Sequence, residues 1–147
     1  KECKMARASY LEQNSGVSNF KLKVEEIAAA RTLTAADSGK VFKISQASAY
    51  SITLPTAAAA GAGWSAKFIL TSAASNAVKV IPNSAEDTLI GLIVSADSSG
   101  GESAESGVDE LVWASGAAVG DWAELVCDGL NYYVFGAQHD NDHMTLS

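Results

Sequence analysis

The stretch GDWAELVCDGLNYYVFGAQ, residues 120–138, decides the fold that this sequence predicts. Its two halves, WAELVC and NYYVFG, are short runs rich in the valine and aromatic residues that favour strands. Between them, Asp128-Gly129 is a strong hairpin signal, because the tight turn needs a positive φ. The stretch therefore predicts a β-hairpin in which Cys127 lies beside the turn as a small apolar side chain. Three large aromatic side chains of this hairpin are expected to supply buried area: Trp122, Tyr133 and Phe135.

Short runs of the same kind, with turn signals between them, recur through the chain. They are FKLKV (20–24), VFKIS (41–45), YSITL (50–54), SAKFILT (65–71), AVKVI (77–81), TLIGLIV (88–94) and ELVWA (110–114). A spacing near 8–12 residues between short strands is typical of sandwiches and barrels. We therefore expect an all-β fold, a β-sandwich or jelly-roll-like barrel of about nine short strands with no long helix. Thr34, Asp37 and Gly39 have the spacing of one capped helical turn.

The ends of the chain differ in composition from the strand-rich part. Residues 1–19 mix charged, amide and glycine residues without periodicity, which predicts an extended N-terminal arm. Residues 20–138 form the predicted β-domain, and residues 139–147 a flexible C-terminal tail. Inside the domain, residues 97–110 are small and acidic and predict a loop.

Composition limits the class of protein. The chain has 147 residues and a mass of 15.2 kDa, which suits one domain. It contains 26 alanines and 18 serines, so the core is modest and subunit contacts would stabilise it. No apolar run has the length of a membrane span, and no signal-peptide pattern is present, so we expect neither membrane insertion nor that secretory route. Two cysteines are too few for a disulfide framework and fit synthesis in a reducing compartment.

The net charge of −7 argues against nucleic acid as a partner, because binding to phosphates needs an excess of lysine and arginine. The charge is also unevenly distributed. Residues 1–79 carry +5, from ten basic and five acidic residues, and residues 80–147 carry −12. Such polarity either orients the molecule against a partner or is cancelled when the fold brings both halves together.

Candidate catalytic and metal-binding residues are few. A Cys127 nucleophile needs a nearby base, and the two histidines, His139 and His143, both lie in the predicted tail. The tail sequence HDNDH places two imidazoles and two carboxylates within five residues, a set that binds divalent metals when its geometry is closed. A flexible tail seldom closes in this way. We therefore expect no enzyme activity, no cofactor and no metal site.

The three tryptophans leave one binding alternative open. If they line a groove, Trp64, Trp113 and Trp122 are able to stack on sugar rings. Each stands beside small residues in a predicted strand or turn, where packing in the core is the more common role.

Four segments resemble a β-domain that recurs in structural proteins of tailed bacteriophages. They are RTLTAADSGKVFKI (31–44), SITLP (51–55), the Gly-Ala turn into WSAKFIL (64–70), and GDWAELVCDGLNYYVFG (120–136). Such domains occur in capsid decoration (cement) proteins and in head and tail fibres. The resemblance spans about residues 31–137, which is most of the chain, and includes no active-site motif. It implies a virion protein on the capsid exterior, assembled in the host cytoplasm.

A single short domain behind a free arm favours decoration over a fibre. The resemblance then implies homotrimers that bridge capsomers of the major capsid protein. A receptor- or glycan-binding domain of a head or tail fibre is the alternative. We expect the arm and its junction with the domain to bind the capsid or a sister subunit by adding a strand to a sheet edge. The candidate binding residues are Arg7, Tyr10, Leu11, Phe20, Lys21 and Lys23.

Overall fold

The protein folds as two β-sheets packed on one core, which confirms the predicted all-β, sandwich-like class. The computed structural model describes residues 21–85, 87–97 and 102–147, with the backbone alone over 102–106. These residues include twelve strands, where about nine are expected from the sequence, a 3-10 turn (Ala35–Asp37) and one helical turn, α1 (Ala57–Ala60). None of the helical segments in the described ranges is long and apolar enough to cross a bilayer.

The strands are β1 (Val24–Ile27), β2 (Arg31–Thr32), β3 (Lys40–Ser45), β4 (Tyr50–Thr53), β5 (Ser65–Ser72), β6 (Val78–Ile81), β7 (Leu89–Ser95), β8 (Glu102–Val108), β9 (Leu111–Trp113), β10 (Trp122–Cys127), β11 (Tyr132–Gln138) and β12 (Met144–Leu146).

Successive strands from β1 to β6 alternate between the two sheets. The seven-stranded sheet has the order β1-β3-β5-β10-β11-β7-β8, and the five-stranded sheet has the order β12-β9-β6-β4-β2. Because β1, β3 and β5 are parallel neighbours in one sheet and β2, β4 and β6 in the other, residues 24–81 wind as successive parallel coils. These parallel pairs distinguish the sandwich from an antiparallel jelly roll. The hairpin of β10 and β11 fills the centre of the seven-stranded sheet, between β5 and β7.

The core lies between the inner faces of the sheets and contains a row of aromatic rings. Phe42 and Phe68 are partners in register on β3 and β5 and stack with centroids 5.4 Å apart. The Phe68 ring lies 6.3 Å from that of Trp113 in the other sheet. Each ring buries on the order of 150–250 Å². Ala66 and Ala123 are buried beside them, so an alanine-rich sequence closes a core around few large side chains.

The predicted turn before β3 is confirmed. The Thr34 backbone N–H donates to Asp37 Oδ2 (2.8 Å), and the Asp37 N–H donates to the Thr34 carbonyl (3.0 Å). Gly39 follows at φ +77°, a conformation that a residue with a Cβ rarely adopts. The Thr34 and Asp37 contacts cap the start of the 3-10 turn, and Gly39 directs the chain from its end into β3.

Two segments that the sequence places outside the sheets are strands. The prediction of a loop over 97–110 is wrong for residues 102–108, which form β8 and pair antiparallel with β7. Edge strands often carry charged residues that prevent further pairing, so the composition of this one resembles that of a loop. The first strand also begins later in the chain than the run FKLKV (20–24) predicts. β1 begins at Val24, the last residue of that run.

The prediction of a flexible tail over 139–147 is also corrected, because β12 closes the five-stranded sheet against β9. Met144 and Leu146 are both buried. Around them, the Ser147 N–H donates to the Glu110 carbonyl (3.0 Å), and the Glu110 N–H donates to the Ser147 carbonyl (2.8 Å). A strand of three residues is too short to be recognised by its periodicity. The domain therefore extends to the end of the described chain.

Candidate interaction surface

The outer face of the seven-stranded sheet is apolar over four adjacent strands. One face of this sheet packs on the core, and the other carries a contiguous set of apolar side chains that are exposed or half-buried. We call this set the outer apolar face; it consists of Ile69, Ile90, Leu92, Val94, Trp122, Val126, Tyr133 and Phe135. Contiguous apolar surface of this kind on a folded domain marks a site of contact with another molecule.

Strand register makes the outer apolar face continuous. Phe135 on β11 pairs with Leu92 on β7, and Tyr133 pairs with Ile90 on β7 and with Val126 on β10. Directly paired residues point to the same side of a sheet with Cβ atoms about 4.5–5.5 Å apart. Phe135, at 58% exposure, is the most exposed aromatic ring of the set, and it lies on the central hairpin.

Two charged side chains accompany the apolar ones, Lys67 on β5 and Glu124 on β10 between Trp122 and Val126. The Lys67 ammonium lies 4.1 Å from the centroid of the Trp122 ring, within cation–π range. Glu124 on β10 pairs in register with both Lys67 and Phe135. Aromatic side chains are enriched at protein–protein interfaces.

The hairpin loop fixes one end of the face. Asp128 Oδ1 accepts from the backbone N–H groups of Leu130 (2.8 Å) and Asn131 (2.7 Å), and these bonds lower the pKa of the Asp128 carboxyl. The Tyr133 hydroxyl donates to Asp128 Oδ2 (3.2 Å), which raises the pKa of Tyr133 and orients its ring. Gly129 at φ +96° permits the turn. The predicted hairpin is confirmed, with a loop of four residues, 128–131, between paired Cys127 and Tyr132.

The aromatic side chains of the hairpin are not distributed as the sequence predicts. Tyr133 and Phe135 were expected to be buried and are on the open face, while Tyr132 is fully buried and donates from its hydroxyl to the Pro55 carbonyl (2.7 Å). The run YYVF is apolar at every position, so alternation does not determine which face is inward. The same run is the sequence signal for the outer apolar face, because strands covered on both faces read as continuous apolar runs.

Most of the sequence-predicted site residues lie outside the described residues: Arg7, Tyr10, Leu11 and Phe20. The other two, Lys21 and Lys23, are exposed just before β1. The Lys23 carbonyl accepts from the Val41 N–H (2.9 Å), and its ammonium lies 2.8 Å from Glu25. The arm therefore joins the domain at an edge of the seven-stranded sheet, and neither lysine belongs to the outer apolar face.

An ion-pair cluster, which the sequence alone does not predict, stabilises the β1 edge of the seven-stranded sheet. Lys40 Nζ lies 2.9 Å from Glu25 on β1 and 2.6 Å from Asp37 in the 3-10 turn. Arg31 on β2 contacts the same two carboxylates at 3.0 and 3.1 Å. The cluster connects β1, β2, β3 and the turn, which are separated along the chain. Hydrogen bonds from Lys23 and Lys40 lower the pKa of Glu25 from 4.5 to about 2.

We expect this cluster to make the protein sensitive to acid. A carboxyl whose pKa is depressed in the folded state contributes stability above its unfolded pKa and loses it as the pH falls through the folded pKa. For Glu25 that window extends from about pH 4.5 down to about pH 2. The melting temperature of the Glu25→Gln variant should fall less steeply across this window than that of the wild type. The control is Glu26→Gln, whose carboxylate lies 3.6 Å from Lys43 in an exposed pair. Equal slopes for all three proteins would contradict the assignment.

The residues considered for catalysis are separated by the length of β10. Cys127 is buried, accepts from the Gly129 N–H (3.3 Å), and has its pKa raised by that burial. His143 lies at the other end of the strand, with Nδ1 3.2 Å from Asp121 Oδ2. This contact is not aligned as a hydrogen bond, and His143 Nδ1 has no hydrogen-bond partner among the described residues. Neither histidine is placed to deprotonate the thiol.

The positions of the possible metal ligands and of the three tryptophans bear on the metal-site and sugar-binding hypotheses. Among the described residues, no three His, Cys, Asp or Glu side chains are grouped to hold a metal ion. The indole N–H groups of Trp64 and Trp113 donate inside the core, to the carbonyls of Thr34 (3.1 Å) and Asp121 (3.4 Å). Core packing is therefore confirmed for these two tryptophans. Trp122 is half-buried under Lys67, so the three rings do not share a groove.

Comparison with known proteins gives no relative from which a function could be inferred. No protein-family model, no curated protein and no solved structure matches this chain.

Proposed function

We propose that this protein is a virion structural protein that decorates and cements the capsid of a tailed bacteriophage. The observation that supports a binding role is the outer apolar face. Strands β7 and β11 have the continuous apolar sequences of strands covered on both faces, yet one face is open in the single chain. A second protein that covered this face would bury the exposed apolar side chains of β7 and β11. We take the major capsid protein to be that surface.

Cementing requires no reaction, and the mechanism is thermodynamic linkage. A protein that binds only the assembled, expanded shell stabilises that state by mass action. Several weak contacts held in one homotrimer at the junction of capsomers gain avidity. The predicted arm, residues 1–19, would add a second attachment beside the edge at Lys21 and Lys23. The protein then acts on the capsid exterior after assembly in the host cytoplasm, without cofactor, nucleic acid or membrane.

A receptor- or glycan-binding domain of a phage fibre is the second candidate. The two rings at Tyr133 and Phe135 are exposed side by side on β11, and exposed aromatic rings are suitable for stacking on sugars. Both rings nevertheless lie on an open sheet face, whereas small ligands are mostly bound in clefts that bury most of their surface. The geometry therefore favours a protein partner.

Copy number in purified particles tests the proposal. We expect the band of this protein in a stained gel of phage particles to approach that of the major capsid protein in molar amount, because decoration sites recur over the whole shell. Densitometry against a known amount of the recombinant chain gives the ratio. If only a few copies are present per particle and the protein binds to a glycan array, the protein would instead be assigned to a fibre.

A further inference from the structure

The side of the seven-stranded sheet that carries the outer apolar face continues to the edge where the described chain begins. Val24 on β1 pairs in register with Val41 on β3, and Val41 pairs with Lys67 on β5. Lys67 in turn pairs with Glu124, which is the partner of Phe135 on β11. Directly paired residues point to the same side of a sheet. These five side chains therefore form one row from the β1 edge to the centre of the outer apolar face.

Apolar surface is open at the β1 end of this row. Leu22 and Val24 are 53% and 56% exposed. Leu22 also lines a groove of about 240 Å³ together with Val41 and Lys67, both of which belong to the row. The described chain therefore begins on the side of the sheet that carries the outer apolar face, and the arm is attached beside that face.

The sequence of the arm and its junction with the domain is suited to an apolar surface. Phe20, Leu22 and Val24 alternate with lysines, which predicts that the apolar side of β1 continues into the junction. Residues 1–19 have a formal charge of only +1, from three basic and two acidic residues, so little charge opposes contact with apolar side chains. The large apolar residues of the arm are Met5, Tyr10, Leu11 and Val17.

The arm is long enough to cross the face. Tyr10 stands ten residues before Phe20, and an extended chain of that length spans about 33 Å. From β1, the sheet order reaches β11 in four strand spacings, which is about 19 Å at the usual separation of about 4.8 Å. Tyr10 and Leu11 can therefore reach Tyr133 and Phe135 with chain to spare.

We propose that in the free protein the arm lies across the outer apolar face of its own domain, with Tyr10 and Leu11 packed near Tyr133 and Phe135. Covalent attachment selects this occupant. A tethered segment has an effective concentration in the millimolar range, far above that of a second copy at micromolar concentration. A contact with a dissociation constant of about 0.3 mM would then cover the face in about three molecules of four. Burial of the apolar side chains supplies the affinity.

This contact would regulate the capsid-binding surface, and that part of the inference rests on the proposed function. The arm and the capsid cannot occupy the same face at once, so binding to the shell releases the arm. The released arm is then free to make its own attachment beside the β1 edge. In the free protein, the contact shields exposed aromatic rings that would otherwise favour nonspecific association.

Hydroxyl-radical footprinting of the full-length chain, read out by mass spectrometry, tests the contact. We expect the double variant Tyr10→Ser with Leu11→Ser to raise the oxidation rate of Phe135 about threefold or more over the wild type, because the face is then uncovered. The matched control, Gln13→Ser with Asn14→Ser, replaces two polar residues of the same arm and should leave the rate unchanged.

Leu130 supplies an internal reference, because it is 73% exposed on the hairpin loop outside the outer apolar face and should be oxidised equally in all three proteins. Protection of Phe135 should also survive an about tenfold dilution in the micromolar range, since an intramolecular contact does not depend on concentration. Equal effects of the two double variants, no effect of either, or protection lost on dilution would overturn the proposal. Because the measurement uses the isolated protein, a protein that shows the protection but does not bind particles would retain the contact and refute the cementing role.

Discussion

Changing Phe135 to lysine is expected to weaken binding of the protein to capsids by at least about 30-fold, since loss of a central aromatic anchor costs roughly 2–4 kcal/mol. The lysine would also carry a charge into a surface that becomes buried on binding. The fold should tolerate it, because Phe135 is exposed and its partner in register on β10 is Glu124. Titration of particles that lack the protein, with bound protein measured after sedimentation, gives the affinity.

The control for this variant is Leu130→Lys. Leu130 is 73% exposed on the hairpin loop and does not belong to the outer apolar face, so the same change of charge should leave binding within a factor of about two. Unchanged melting temperatures establish that both proteins are folded. If Phe135→Lys binds particles as tightly as Leu130→Lys, the outer apolar face is not the capsid-binding surface.

The largest expected loss of stability follows from Gly91→Ala. A Cβ at this position of β7 would overlap the carbonyl oxygen of Val134 on the neighbouring strand and lie 2.7 Å from the carbonyl carbon. Both atoms belong to backbone, so relief requires that β7 and β11 separate at the centre of the sheet. We expect a cost of about 3 kcal/mol or more and a fall in melting temperature of roughly 10 °C.

Gly61→Ala separates this steric effect from the general cost of replacing glycine. Gly61 has φ +76° and no atom within 4 Å of a built Cβ, so its variant carries only the backbone penalty of about 1 kcal/mol. Calorimetry of both variants gives the comparison. A Gly91→Ala protein that melts at the same temperature as Gly61→Ala would show that β7 and β11 are not held in the close register described.

The local features of the fold follow from short patterns in the sequence. Most of the predicted runs are strands, because β-branched and aromatic residues between turn signals favour this conformation in any context. The capped turn at Thr34 and the hairpin at Gly129 depend on neighbouring residues and were predicted for the same reason. β8 and β12 were missed because one is a polar edge strand and the other has three residues.

The topology and the candidate surface depend on information that no local pattern contains. The parallel coils pair strands that are not consecutive in the chain, and the sequence has no detectable repeat from which these pairings could be predicted. The outer apolar face was missed because large apolar residues were assigned to the core, although Tyr133 and Phe135 follow Tyr132 and Val134 in a run that no single buried face can hold. The predicted capsid-binding role of the arm stays a prediction.

The late position of the central hairpin has a consequence for biosynthesis. Until residue 138 has left the ribosome, the nascent chain holds the strands of both flanks of the seven-stranded sheet without the pair that joins them. Such intermediates expose unpaired strands and form their non-local contacts slowly. We therefore expect folding of this domain to be completed only after residue 138 has left the ribosome, so that chains released before the hairpin is synthesised are substrates for chaperones and proteases.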